Sequence, residues 1–145
     1  VGLNVPVVDT DAFGACYARM AEAIRQGLLA SCHGVYRGGL GVHLGLVAMG
    51  GGLGLTVDLA KVPAEGVDRD DTLLFSESAG RFVVSVAPQN KAAFEALFEG
   101  LPVSCVGTVT DTPKLKITGM DGGGLATLTV DEMKAAWKGP FGDLI

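Results

Sequence analysis

Apolar residues recur at helical spacing in two segments near the start of the chain. The first segment follows Asp9-Thr10-Asp11, whose side chains suit a helix N-terminus, and it predicts a helix over about 11–30. The second begins at the adjacent glycines Gly38-Gly39 and ends at Gly50-Gly51-Gly52. Because it is apolar almost all round, it predicts a helix that is buried on most sides. The apolar face of the first helix comprises Phe13, Cys16, Tyr17, Met20, Ile24 and Leu28.

The rest of the chain alternates between strand and helix patterns. Pro88 suits the first turn of a helix over about 88–99, and Asp131 is expected to cap a short last helix. Residues 60–72 are polar and contain proline and glycine, which predicts a loop. Alternating apolar residues predict strands over about 53–59, 81–86, 103–110, 114–118 and 125–130.

The order of these elements is helix, helix, strand, strand, helix, three strands and helix. Since few strand pairs are joined by a single helix, this order favours an α+β fold with helices packed on a mixed sheet. The β-α-β segment over 81–110 is typical of a ferredoxin-like arrangement. With 145 residues and no internal repeat or linker, residues 1–145 are expected to form a single domain.

The composition of the chain indicates which kinds of binding partner are expected and which are not. A net charge of -5 without any basic cluster argues against binding to nucleic acid or to an anionic membrane. The longest apolar stretch, residues 44–55, is shorter than the ~20 residues that span a bilayer. Asp9 and Asp11 interrupt the first apolar residues, so no signal peptide is expected. The mean hydropathy of +0.40 is high, which predicts an exposed apolar face and makes a homo-oligomer possible.

The three cysteines, Cys16, Cys32 and Cys105, are widely spaced and form no C-x-x-C pair. This pattern favours reduced thiols in a cytosolic protein over a disulfide framework. Cys32 and His33 are neighbours in an extended segment, where side chains point to opposite sides, so a nucleophile–base pair is not expected. His33 and His43 lack the supporting ligands of a metal site, and His43 is expected to be a core or interface histidine.

The segment CHGVYRGGLGVHL, residues 32–44, is the first candidate for binding chemistry. If a helix begins at Gly38 or Gly39, its first N–H groups and its dipole favour an anion, and Arg37 adds positive charge. Glycines would let a phosphate approach the backbone. The alternative is close packing of the helix on a sheet through Gly38, Gly39 and Gly41. The residue types leave both interpretations open.

The segment LFSESAGR, residues 74–81, is the second candidate. Ser76, Glu77 and Ser78 can cap a turn, and Glu77 can pair with Arg81. The functional alternative places Glu77 and the two hydroxyls at a ligand or at a partner domain. The acidic run Asp68–Asp71 lacks the spacing of a metal-binding loop and is expected to be a solvated surface.

Taken together, HGVYRGGLGVHLGLVAMGG, GLGLTVDL, LLFSESAGRFVVSV and VGTVTD resemble the C-terminal domain of the AIR-synthase superfamily. Within it, the segments are most similar to the formylglycinamide ribonucleotide amidotransferases, the phosphoribosylformylglycinamidine synthases. The resemblance runs from about residue 10 to the end of the chain. It implies an AIR-synthase C-terminal-domain-like fold and a position as the C-terminal domain of a larger synthetase.

The resemblance also implies a function. Such a synthetase binds ATP and Mg mainly on other domains, activates formylglycinamide ribonucleotide and adds ammonia from glutamine. The implied partners are the remaining synthetase domains and a glutaminase subunit or domain, in the cytoplasm. For this chain alone the resemblance implies no bound cofactor, no metal ligand, no catalytic residue and no activity. The implied phosphate- or substrate-binding residues are His33, Arg37, Gly38, Gly39, Ser76, Glu77, Ser78 and Arg81.

One departure from the family pattern bears on metal binding. The common loop reads His-Asp-x-Ser-Asp-Gly-Gly, whereas Gly34, Tyr36 and Arg37 stand here in place of the Asp, Ser and Asp. The loop therefore offers no carboxylate to a metal and is more favourable to anions. Two other functions remain open. One is a related ATP-using enzyme of the hydrogenase maturation or selenophosphate synthetase type, whose chains tend to lack the LFSES-x-GR turn. The other is a non-catalytic interaction domain on the same scaffold.

Overall fold

The computed structural model describes residues 7–144. Short 3-10 turns follow β2, precede α4 and follow α5. Between residues 7 and 144, no helix has the length and apolar character needed to cross a membrane. The helices are α1 (Thr10–Arg25), α2 (Gly39–Gly51), α3 (Asp70–Phe75), α4 (Lys91–Leu97) and α5 (Val130–Lys138). The strands are β1 (Leu29–Val35), β2 (Gly54–Asp58), β3 (Arg81–Val86), β4 (Gly107–Thr110), β5 (Lys114–Thr118) and β6 (Gly124–Thr129).

The strands form two separate hydrogen-bonded sheets. β1 and β3 make an antiparallel ribbon, and the other sheet has the order β4-β2-β5-β6. In the larger sheet β2 and β5 are parallel, while the other two pairs are antiparallel. The α+β class with a mixed sheet is therefore confirmed. β3 and β4, which flank α4, pair with β1 and β2 respectively, so residues 81–110 do not form a β-α-β unit within one sheet.

α2 is the central helix of the fold. It contacts α3, α5, the β1/β3 ribbon and the four-stranded sheet, which explains why its sequence is apolar on nearly every side. Its core positions Leu40, Leu44 and Ala48 belong to the larger of two apolar clusters. The smaller cluster lies on the other side of the ribbon, where α1 and α4 cover Phe82, Val84 and Val86. The alternation of β3 thus gives each face of the ribbon to a different core.

Several boundaries and two elements differ from the sequence prediction. The helix predicted over 88–99 is divided into a 3-10 turn at Pro88–Asn90 and α4, which ends at Leu97. α1 ends at Arg25 because Gly27 adopts a left-handed conformation (φ 66°), and residues 29–35 form β1 instead of helix and loop. The loop predicted over 60–72 contains the start of α3, whose Leu73 and Leu74 are buried. β4 begins at Gly107, later than predicted, because its pairing with β2 ends where Gly107 lies opposite Val57.

The helix ends are held largely as the sequence indicates. The Asp9 carboxylate accepts hydrogen bonds from the N–H groups of Asp11 and Ala12, and Gly52 ends α2 in a left-handed conformation. The cap of α5 is Thr129 and not Asp131. Its hydroxyl accepts from the Glu132 N–H while the Glu132 carboxylate accepts from the Thr129 N–H, a reciprocal capping box.

Candidate functional site

The adjacent glycines at the start of α2 lie directly against α3. Gly39 has a φ of 72°, and a Cβ at this position would lie 2.6 Å from the Leu74 carbonyl oxygen and 2.8 Å from the Phe75 Cα. Gly41 faces the side chains of the same two residues. Two helices approach this closely only where one of them lacks side chains. Close packing therefore accounts for Gly39, although the neighbour is α3 and not a sheet.

Gly38 connects the two segments that the sequence singled out. Its φ is 90°, and its N–H donates a hydrogen bond of 2.8 Å to the Glu77 carboxylate. Glu77 follows the C-terminal end of α3 and is exposed. A carboxylate at this position satisfies an N–H group of the helix start and interacts favourably with the positive end of the helix dipole. In this structure an anion is already present at the N-terminus of α2, and it belongs to the protein.

Arg81, the first residue of β3, holds the Ser76–Ser78 turn from the other side. Its guanidinium donates to the carbonyl oxygens of Ser76 and Ser78, the latter at 3.0 Å. Partial burial of this cation lowers the pKa of Arg81 from its usual high range. The predicted Glu77–Arg81 ion pair is absent from the described residues, since Arg81 is used on backbone oxygens and Glu77 on Gly38.

The two histidines of the chain form a hydrogen-bonded pair beside this loop. His33 on β1 and His43 on α2 approach to 2.8 Å between the His33 Nε2 and the His43 Nδ1. His43 is buried, as expected for a core histidine. The Tyr36 N–H donates to the other ring nitrogen of His43, Nε2, at 2.9 Å, so His43 also fixes the loop between β1 and α2.

The remaining candidate groups are solvent-accessible. Arg37 and Ser78 are exposed and Ser76 is half-buried; within residues 7–144 the Arg37 guanidinium has no hydrogen-bond acceptor. Tyr36 is two-thirds exposed, and its ring edge faces His43 with 5.7 Å between the ring centres. The structure thus brings all eight predicted residues into one region through three links: Gly38 to Glu77, Arg81 to the serine turn, and His33 to the loop.

Sequence reasoning missed two parts of this arrangement. Tyr36 was not among the candidates, and His43 was assigned to the core without a partner. The sequence feature that could have indicated them is the presence of the chain's two histidines close to Gly34, which has no side chain. A Cβ at Gly34 would lie 2.2 Å from the Tyr36 hydroxyl, so this glycine lets the tyrosine fold back over β1.

No metal centre is formed by the part of the chain between residues 7 and 144, where no three His, Cys, Asp or Glu side chains converge. The acidic run has structural partners instead. Arg69 pairs with Asp71, whose pKa is lowered mainly by that hydrogen bond. The Asp70 carboxylate accepts from the Met120 N–H at 2.9 Å and so ties α3 to the β5–β6 hairpin.

Comparison with known proteins identifies the family. The family described as AIR synthase related protein, C-terminal domain, matches residues 2–120, and the chain belongs to it. The fold is shared with Thermotoga maritima PurL complexed with FGAR (20% identity, TM-score 0.76, 89% of this chain and 22% of that one). It is also shared with PurLQS from the same organism, at 21% identity and a TM-score of 0.79, over 90% of this chain and 23% of that one.

A hydrogenase maturation protein has the same fold. The hydrogenase maturation protein HypE in complex with ATP matches at 16% identity and a TM-score of 0.63, over 80% of this chain and 41% of that one. This chain therefore spans less than a quarter of Thermotoga maritima PurL and less than half of HypE. A structure of Thermotoga maritima PurL complexed with ATP has the same fold.

Proposed function

We propose that this chain is the C-terminal domain of a phosphoribosylformylglycinamidine synthase. The whole enzyme would convert formylglycinamide ribonucleotide to the formylglycinamidine with ATP and with ammonia from glutamine, in purine biosynthesis. Family membership and the likeness to PurL support this proposal. The observation that carries it is the Gly38–Glu77 hydrogen bond, which joins the two motifs characteristic of that enzyme into one site.

The other parts of the enzyme would supply what this domain lacks. ATP and Mg would bind mainly to the remaining synthetase domains, and a glutaminase subunit or domain would provide the ammonia, in the cytoplasm. The candidate site here holds one free cation, Arg37, and no arrangement of acid, base and nucleophile among its described residues. We therefore propose that the domain binds and orients substrate and has no synthetase activity on its own.

The loop before α2 would contact the phosphate of the ribonucleotide. Arg37 is exposed in this loop and has no acceptor among the described residues, and the first N–H groups of α2 carry the positive end of the helix dipole. The Gly38 N–H is occupied by Glu77, so a phosphate that uses it must displace this carboxylate. Glu77 would then act as a competing anion that lowers phosphate affinity.

Titration of the 145-residue chain with inorganic phosphate and with formylglycinamide ribonucleotide, followed by NMR, tests this binding role. Glu77→Gln should raise the affinity, because it removes a negative charge next to the ligand. Arg37→Ala should lower it about tenfold, the equivalent of about 1.4 kcal/mol for a charge-assisted hydrogen bond. Arg19→Ala, which removes an exposed arginine of α1, is the matched control and should change nothing. Resonances of residues 36–41 that do not respond to either ligand would contradict the proposed site.

The activity itself is tested on the full-length protein. It should consume ATP in the presence of formylglycinamide ribonucleotide and glutamine, whereas the 145-residue chain should show no turnover even with ammonium. Turnover by the isolated chain would contradict the assignment of catalysis to other domains. ATP-dependent activity only on a hydrogenase-maturation substrate would favour the HypE-like alternative, and binding of a protein without any turnover would favour an interaction domain.

A further inference from the structure

The histidine pair contains four ring nitrogens, three of which have defined neighbours. The His43 Nδ1 and the His33 Nε2 are 2.8 Å apart and share one hydrogen bond. The His43 Nε2 lies 2.9 Å from the Tyr36 backbone nitrogen and 3.2 Å from the Arg37 carbonyl oxygen. It can therefore accept from the first group or donate to the second, but it cannot do both with one lone pair or one proton.

A count of protons fixes the neutral state of the pair. The backbone N–H of Tyr36 is always a donor, so the His43 Nε2 that accepts from it carries no proton. A neutral His43 then carries its proton on Nδ1 and donates it to the His33 Nε2. The neutral His33 in turn carries its own proton on Nδ1. Two ring nitrogens are then unprotonated: the His33 Nε2, which accepts from His43, and the His43 Nε2, which accepts from the Tyr36 N–H.

We infer that this pair is a proton-operated switch of the loop before α2. When the pair takes up one proton and keeps the hydrogen bond between the rings, which holds one proton, the added proton can bind only to the His43 Nε2. Protonation there removes the acceptor of the Tyr36 N–H and creates a donor to the Arg37 carbonyl oxygen. In this step the pair binds one proton, loses the hydrogen bond from the Tyr36 N–H and gains one to the Arg37 carbonyl oxygen. Both hydrogen bonds involve the loop that ends at Gly38.

The charged and titratable groups around the pair are few. β1 contributes His33, the loop contributes Tyr36 and Arg37, and Glu77 and Arg81 reach the same loop and turn from α3 and β3. The other elements packed on α2 meet it with apolar groups: α3 with Leu74 and Phe75, α5 with Met133, and the four-stranded sheet with Leu55, Val57, Leu115 and Ile117. The protonation state of the switch therefore depends on the two imidazoles and on the two backbone groups that compete for the His43 Nε2, the Tyr36 N–H and the Arg37 carbonyl oxygen.

The switch would control the candidate site. Tyr36, Arg37 and Gly38 are consecutive, so a change of partner at the first two alters the position from which the Gly38 N–H meets Glu77. If the loop binds phosphate, an inference that rests on the proposed function, proton uptake by the pair also changes phosphate affinity. The switch itself is independent of any ligand and can be tested without one.

The test uses NMR of the full 145-residue chain with ¹⁵N-labelled imidazoles, titrated from about pH 8 to about pH 5, across the range in which histidines ionise. At the upper end the His43 Nε2 should have the shift of an unprotonated ring nitrogen, and at the lower end that of a protonated one. The protection of the Tyr36 amide against hydrogen exchange should fall about tenfold over the same range, the equivalent of one hydrogen bond. The amides of β5 should keep their protection.

Three results would overturn the inference. They are a protonated His43 Nε2 at the upper pH, constant protection of Tyr36 throughout, or loss of Tyr36 protection together with that of β5, which would indicate general unfolding. His43→Gln is the matched variant, since its amide accepts from the Tyr36 N–H without binding a proton. In this variant the pH dependence at Tyr36 should disappear. Failure of phosphate to bind would contradict the proposed function and leave these readouts unchanged.

Discussion

Replacement of Gly39 by alanine tests why the chain has adjacent glycines before α2. The new methyl group would lie 2.6 Å from the Leu74 carbonyl oxygen and 2.7 Å from the Phe75 carbonyl carbon. These are backbone atoms of α3, which cannot rotate away as a side chain can. The alanine would also have to adopt a φ of 72°, a left-handed conformation that L-residues with a side chain disfavour.

The two effects add to each other, and a control variant separates them. The left-handed conformation costs about 1–2 kcal/mol, and overpacking adds about 1–3 kcal/mol. We therefore expect Gly39→Ala to lower the free energy of unfolding by about 2–5 kcal/mol, a large part of the roughly 5–15 kcal/mol of a typical domain. Gly27→Ala is the matched control, because Gly27 has a φ of 66° with no atom within 4 Å of the added methyl group. It should show the conformational cost alone.

Urea unfolding followed by far-UV circular dichroism gives both free energies under identical conditions. Equal destabilisation of the Gly39→Ala and Gly27→Ala chains would refute the close-packing explanation. A phosphate titration of each variant completes the comparison. Loss of phosphate binding in Gly39→Ala without loss of stability would show that the glycine serves ligand access instead of packing.

Four further predictions concern the serine turn, α5 and α1. Arg81→Met removes both hydrogen bonds to the serine turn and should lower stability by about 1–3 kcal/mol in the same urea experiment. Thr129→Ala should cost about 1 kcal/mol through loss of the α5 cap. The hydrogen bond from the Thr129 N–H lowers the pKa of Glu132 in the folded chain. The carboxylate therefore stabilises the fold at pH values above its unfolded pKa, and this stabilisation is lost as the pH falls through its folded pKa. Glu132→Gln should remove this acid dependence of the melting temperature. Tyr17 and Ile24 are both more than half exposed on α1, and we expect the chain to self-associate at high concentration in sedimentation unless both are replaced by serine.

Local patterns in the sequence identified the helices and strands in which apolar residues recur with a clear period. α2 was predicted because its apolar run is bounded by glycines, and its burial on most sides follows from the absence of a polar face. β1 was missed because its residues are mostly small or polar and become a strand only through pairing with β3, roughly fifty positions away. α3 was missed for a related reason: six residues are too few for a helical period.

The sequence by itself singled out eight residues of the candidate site, through two short motifs. Only the tertiary structure decided how they are used. Glu77 binds Gly38, 39 positions away, instead of the nearby Arg81. His33 binds His43 because β1 and α2 pack face to face. Residue types define which hydrogen bonds are available, but several partners compete for each group, and the packing of buried elements selects one of them.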